Sequence, residues 1–597
     1  MIDFIKQIFA SAIGFILVVV LFFFFIFILF VSTSSDPEPV VQENSVLYIK
    51  TSGVIPERVS SDPFEQFFSP SHPASASLQN FDRNLRKAAV DENIEGVLIE
   101  VDFLGAPWPV LQHMRRSIEQ FREDSGKFVY ATTNDLGLNE QGYYLATAAD
   151  SIFAPSNTLM QMDGFVVEGT FFKSLLDKIG VEATVIHRGA YKSAGDSFQR
   201  TNFSEADREQ LTAIFSDIVD EFESAIANRT GMSRDEVAEM LNQPPRLDIE
   251  HYAERGLIDA IVSNTELHER IKSRIGIDAD EDLKLVPNRR YARVSDRNAG
   301  LPREPRESIA VIYASGPIMP MVDQGGLPFG GETTININNF KSSLDRALDD
   351  RNVKAIVVRI DSPGGSGSTS DAIWKLLRDA AEQKPVITSM GAVAASGGYY
   401  IAMAGDAVVA DRTTITGSIG VIGISMNARE LLSDKVGLDF DEIRFHENAN
   451  WLSPNQPLTD DQRAAFEHFI DNFYDVFVNR VAESRGMSYD EVHAVAQGRV
   501  WSGEDALEAG LTDYVGGIDL AIQLAAERAE LEAWSIREFP REKSFIERIA
   551  GMPDVFVQRF VSNNVPQYDE MQMIRHIASQ SNRPYAWTMM PYMIEVK

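Results

Sequence analysis

The chain reads twice. Residues 80–102 (NFDRNLRKAAVDENIEGVLIEVD) align with residues 339–361 (NFKSSLDRALDDRNVKAIVVRID) at a constant offset of 259 positions (339 − 80). Upstream, SVLYIKTSGVI from Ser45 echoes SIAVIYASGPI from Ser308. Downstream, QGYYLATAAD from Gln141 echoes GGYYIAMAGD from Gly397, GMSRDEV from Gly231 echoes GMSYDEV from Gly486, and ERGLID from Glu254 echoes EAGLTD from Glu508. Landmarks that keep their order with small drift require two copies of one architecture. In each copy a helical segment with apolar residues at three- and four-residue spacing precedes a continuous apolar strand, VLIEV or IVVRI. Repeated units of this kind predict a layered α/β domain with a largely parallel sheet.

The copies fall at residues 35–286 and 307–540. Between them lies a polar, Pro- and Arg-bearing linker at 287–306, and a tail at 541–597 has helical patterning. Ahead of the copies, Ala12 to Val31 carries no charged side chain. Twenty helical residues at about 1.5 Å each span about 30 Å, the hydrocarbon thickness of a bilayer. The run continues to Phe30 and Val31 without the small-residue cleavage site of a secretory signal, so residues 1–34 are expected to be an uncleaved signal anchor. Lys6 before the span, with Asp36, Glu38 and Glu43 after it, favours a cytoplasmic N-terminus and a body on the far side. The formal net charge of -32 disfavours nucleic acid as a partner. Without cysteine there is no thiolate nucleophile and no Cys-ligated zinc, and the nine histidines form no HExxH pair, so neither a metal nor another cofactor is expected.

The two copies part company at the positions that can do chemistry. In the second, the strand runs into Asp361-Ser-Pro-Gly-Gly-Ser, a tight turn whose amides suit a developing oxyanion. Ser396 follows in AASGGYY at an apparent helix N-terminus. In the first copy the turn is lost and Glu140 stands where Ser396 stands. A serine hydroxyl needs a base. HRGAYKSAGDSF in the first copy offers Lys192, whereas the second copy has FHENANW in that place and no lysine. A surface lysine is usually solvated. As a base Lys192 must lose about 3 pKa units, on the order of 4 kcal/mol, and burial is the usual cause. A working site therefore has to form where the copies meet.

GAYKSAGDSF around Lys192, DSPGGS at Asp361 to Ser366, AASGGYY at Ala394 to Tyr400, TGSIGV from Thr416 and GRVWSGEDALEAGL from Gly498 together resemble the long signal peptide peptidases of the Ser/Lys peptidase family S49. The resemblance spans nearly the whole chain. It implies a tandem Clp-protease/crotonase-like β-α superhelix, with Ser396 as nucleophile, Lys192 as general base and Ser418 orienting the lysine. The amides of Gly365 and Gly397 would form the oxyanion hole. It further implies a homotetramer, remnant signal peptides as substrates, and a single-pass inner-membrane protein whose body faces the periplasm. Asp361 stands where many relatives are expected to carry Asn. Three rival readings remain. A crotonase-like thioester enzyme would rely on Glu140 or Glu447, a Ser/His hydrolase on His187 or His446, and a membrane scaffold would need no chemistry.

Overall fold

The structure is a computed structural model that describes residues 38–58, 77–134, 137–244, 246–320, 334–540 and 587–589, with residues 14 and 18 alone before them. The expected anchor at 12–31 therefore lies outside the described residues, apart from those two positions. Among the described residues no helix is long and apolar enough to cross a membrane.

The first copy contributes strands β1 (Ser45–Gly53), β2 (Ile94–Leu104), β3 (Phe128–Thr132) and β4 (Ser151–Ala154). After an excursion through β5 (Glu182–Arg188) it adds β6 (Ala260–Ile261) and β7 (Lys284–Pro287). All but β5 form one parallel sheet in the order β6-β4-β3-β2-β1-β7. The second copy contributes β8 (Ser308–Ser315), β9 (Val353–Ser362), β10 (Gly364–Ser366), β11 (Val386–Ala395), β12 (Ala407–Ala410), β13 (Ile415–Gly417), β14 (Val421–Asn427), β15 (Val500–Trp501), β16 (Tyr514–Val515) and β17 (Ser535–Phe539). Its sheet repeats the same order, β16-β12-β11-β9-β8-β17, again parallel. Strand β11 has a second neighbour further along, because β13 pairs beside Val393–Ala395 and carries β15 antiparallel on its outer edge.

The repeated helix before β2 and β9 shows why the sequences agree. Leu78–Val90 and Ile337–Asp349 are capped by Ser77 and Asn336, whose side-chain oxygens accept the amides of Asn80 and Asn339. Phe81, Leu85 and Ala88 face the first sheet, and their counterparts Phe340, Leu344 and Ala347 face the second; all six are buried. The spacing i, i+4, i+7 is one helical stripe. Tyr143 and Tyr399 make a second matched pair, since their hydroxyls donate to the carbonyls of Leu257 and Leu511 across each domain. Phe340→Ala should destabilise the protein by about 3–5 kcal/mol by the cavity it leaves. Ser342→Ala on the exposed face of the same helix should change the denaturant midpoint hardly at all.

The first part of the stretch at 287–306 packs onto the first copy. Tyr291 is fully buried with its hydroxyl on Asp91, and Lys87 donates to the carbonyls of Tyr291 and Val294. Of the tail expected to be helical, only Trp587–Met589 are described, and they form a strand, β18.

One exchange positions the site. Strand β5 of the first copy does not join its own sheet; it pairs antiparallel with β14 of the second, from Arg188 opposite Val421 to Glu182 opposite Asn427. The end of β5 thus delivers Lys192 to the start of β14, three residues after Ser418.

Candidate active site

Strand β11 ends at Ala395, and Ser396 follows at the N-cap of the helix Gly397–Ala402. Its backbone is strained into φ 55°, a region that serine rarely occupies. The turn is held by its amide donating to the Gly417 carbonyl at 2.8 Å, and by Tyr400 N donating back to the Ser396 carbonyl at 2.9 Å. Gly398 packs the helix start against the end of β9: a Cβ there would stand 2.6 Å from the Ser362 carbonyl oxygen. Ser396 is wholly buried.

Lys192 is 1% exposed, and its Nζ lies 2.8 Å from Ser396 Oγ, 2.9 Å from Ser418 Oγ and 2.9 Å from the Ser418 carbonyl oxygen. Burial pushes its amine down from the ordinary 10.5 to about 7, with no carboxylate compensating. A neutral amine has two N–H bonds and one lone pair. Two donations to Ser418 use both hydrogens and leave the lone pair for the Ser396 hydroxyl. Ser418 is itself at φ 51°, with its amide donating to the Arg499 carbonyl at 2.7 Å. Two of the six described non-glycine residues at positive φ thus touch one amine. Strain concentrated in this way marks a pre-organised site.

In the chain Gly365 lies between Lys192 and Ser396, and Gly397 directly follows Ser396. Gly365 is in β10 at φ +149°, where a Cβ would stand 2.0 Å from the Ile318 carbonyl oxygen. Ile318 clasps the turn on both sides of it, donating its amide to the Gly364 carbonyl (2.8 Å) and accepting the Ser366 amide (2.7 Å). Asp361, at the end of β9, accepts the Val393 amide at 3.0 Å, and burial pushes its carboxyl up. It therefore acts as a tie between β9 and β11. Strand β18 pairs antiparallel with β10, Gly365 opposite Thr588, and its Trp587 also pairs with Ile422 of β14. A strip of main chain thus runs between β10 and β14, in the order β10-β18-β14-β5.

The profile of peptidase family S49 matches residues 122–278 and 378–532, one stretch in each copy. The chain belongs to peptidase family S49. It is 35% identical to "Serine protease SPPA, chloroplastic" of Arabidopsis thaliana over 82% of this chain and 70% of that protein. It is 31% identical to "Protease 4" of Salmonella typhi over 79% of this chain and 75% of that one. It is 30% identical to "Protease 4" of Haemophilus influenzae over 74% and 71%. A ClpP1 mutant from Listeria monocytogenes covers 35% of the chain with a TM-score of 0.22 at 14% identity.

This S49 chain is a serine endopeptidase, and its substrates are peptides. The groups on which other hydrolytic readings depended are placed elsewhere. Glu140 heads the equivalent helix of the first copy, but its buried carboxylate accepts the amides of Asp163 and Gly164 at 2.7 and 3.0 Å. His446 and Glu447 are exposed, and His187 lies on β5 with Nδ1 on the Gly189 carbonyl. The motif from Gly498 stands out in the sequence without a role; the structure shows that Gln497–Trp501 wedges between the lysine loop and Ser418. Gly498 sits so close that a Cβ would stand 2.4 Å from Lys192 Cβ. Sequence reasoning missed Gln210, fully buried on the helix Glu205–Thr230 behind that loop. The only sequence signal was a polar pair, Asp207 and Gln210, at the start of a helix face that is apolar from Leu211 onward.

Proposed function

We propose that this S49 peptidase is a membrane-anchored Ser/Lys-dyad enzyme that degrades cleaved signal peptides. Ser396 is the nucleophile, Lys192 the general base and Ser418 the group that orients the lysine, and the Gly365 and Gly397 amides receive the oxyanion. The observation that carries the reading is the fully buried Lys192 amine 2.8 Å from the Ser396 hydroxyl. As Ser396 Oγ attacks the peptide carbonyl carbon, its proton passes to the Lys192 lone pair and the carbonyl oxygen becomes the oxyanion. Lys192 then gives that proton to the leaving amine as the C–N bond breaks. A water, deprotonated by the same amine, releases the acyl group and restores the serine. The antiparallel seat of β18 between β10 and β14 supports an extended peptide as the form in which substrate is read.

The repeated strand order supports a tandem Clp-protease/crotonase-like superhelix, with domains at 35–286 and 307–540 joined by 287–306 and followed by the tail 541–597. The apolar run 12–31 supports an N-terminal anchor, single-pass in the inner membrane, with the body periplasmic. Val436, Leu438, Phe440, Ile443 and Phe445 form an exposed apolar stretch that a monomer rarely leaves in water, which favours the homotetramer of the family likeness. "Putative signal peptide peptidase SppA" of Enterococcus faecium, 31% identical over 35% of this chain, supports the substrate assignment.

The test is cleavage of a quenched fluorescent peptide carrying a Leu/Val/Ala/Phe-rich core, set against a polar peptide of the same length. The full chain in detergent should cut the apolar peptide preferentially, Ser396→Ala should not cut it, and His446→Ala should match the native rate. Equal cutting of the two peptides overturns the substrate class; loss with His446→Ala overturns the dyad.

A further inference from the structure

We infer that Gln210 is a positioning residue for the Lys192 amine, holding the lysine loop of the first copy against β15 of the second copy, the strand paired with β13 just ahead of Ser418. The inference rests on Lys192 being the base. Three observations converge on it. The Gln210 side-chain amide reaches both residues that flank the lysine, its Nε2 donating to the Tyr191 carbonyl at 3.2 Å and lying 3.5 Å from Ser193 Oγ. Its Oε1 accepts the Val500 amide at 3.1 Å from the other copy. The whole side chain is 0% exposed, and Asp207 Oδ1 accepts its remaining N–H at 2.7 Å.

Val500 is no arbitrary anchor. It pairs with Gly417, whose carbonyl accepts the Ser396 amide, and its neighbour Arg499 accepts the Ser418 amide. The Tyr191 amide in turn donates to the Gln497 carbonyl at 2.9 Å. One side-chain amide therefore spans the seam, from the residue before Lys192 to the strand paired beside Gly417. No single apolar residue can satisfy an acceptor at Tyr191 and a donor at Val500 together. An apolar replacement frees the loop to shift and water to reach the amine, and a hydrated lysine returns toward its ordinary, higher pKa.

The experiment is the pH profile of kcat/KM for Gln210→Met in the full chain, with the titration of Lys192 followed in parallel in Ser396→Ala protein. We expect the limb set by the base to move about one unit alkaline, giving about a fivefold loss at pH 7 that is recovered above about pH 9. Gln210→Asn keeps the amide on a shorter stem and should move the limb in the same direction by less; it serves if the methionine variant does not fold. A uniform fall at every pH, or an unmoved limb in a folded variant, overturns the inference and leaves Gln210 as packing. If Lys192→Met retains native activity the dyad falls and this inference with it. If Lys192→Met is dead but the Lys192 titration is unmoved by Gln210 replacement, only the positioning role is lost.

Discussion

Replacing Lys192 by methionine should abolish peptide cleavage and at the same time make the folded protein more stable at neutral pH. In the proposed dyad the loss of rate follows from removing the amine that, among the described residues, hydrogen-bonds Ser396 Oγ and can take its proton, and it should exceed about 10⁴-fold. The gain in stability follows from the depressed pKa. Burial holds the folded amine near 7, against 10.5 for a free lysine. Between those values the unfolded chain binds a proton that the folded chain does not, so native stability rises as pH climbs from about 7 to 10.5. Below about 7 the folded state carries the full penalty, on the order of 5 kcal/mol at 1.36 kcal/mol per pH unit. Methionine has no such titration, and part of its gain is offset by the hydrogen bonds it cannot make to Ser418. Thermal melts at several pH values should show the variant ahead at pH 7, with the gap closing toward pH 10.5. The native enzyme should lose kcat/KM as pH falls through about 7. A variant less stable at pH 7, or one that still cleaves, contradicts a dry and neutral amine.

Gly365→Ala should cost about 10²–10³ in kcat, with a smaller effect on KM. The conformation at φ +149° is one that only glycine holds comfortably, and the added methyl would stand 2.0 Å from the Ile318 carbonyl oxygen and 2.8 Å from the Ile318 carbon and nitrogen. All three are backbone atoms of Ile318, with no flexible side chain to yield, so the β9–β10 turn must shift, which in the proposed site takes the Gly365 amide off the reacting oxygen. Gly510→Ala is the control: it also has positive φ, at +72°, but the nearest heavy atom to its Cβ is Met487 Sδ at 3.8 Å. That variant should bear only the modest cost of backbone strain and retain native kcat. A folded Gly365→Ala enzyme within a fewfold of native kcat removes Gly365 from the oxyanion site.

The duplication was legible because the physics behind it is local. A helix with Phe, Leu and Ala at i, i+4 and i+7, followed by an apolar strand, buries the same stripe wherever it occurs, and the two sheets have the same strand order. The residue types of the site were legible for a different reason: Ser396 and Lys192 each stand where the sister copy has a residue of other chemistry. Their contact was not. It depends on β5 leaving its own sheet to pair with β14, and no periodicity in Glu182–Arg188 reveals a partner more than two hundred residues away. Gln210 was hidden because a buried glutamine reads as an ordinary polar residue of a helix until both ends of its amide are seen to be engaged. The strand character of Trp587–Met589 was likewise invisible, since its partners are main-chain groups of β10 and β14 rather than a pattern of its own.

Dividing the site between the copies has a consequence for biosynthesis. Translation delivers the amine 204 positions before the hydroxyl (396 − 192), and the wedge that holds them in register, Gln497–Trp501, a further hundred or so residues later. Without that wedge packed against it, the lysine would stay hydrated and protonated, and in the proposed dyad the serine would lack its proton acceptor. Under the proposed dyad, a chain that stops short of Gln497 is therefore inactive, because the proton acceptor is completed only by a segment made after the nucleophile.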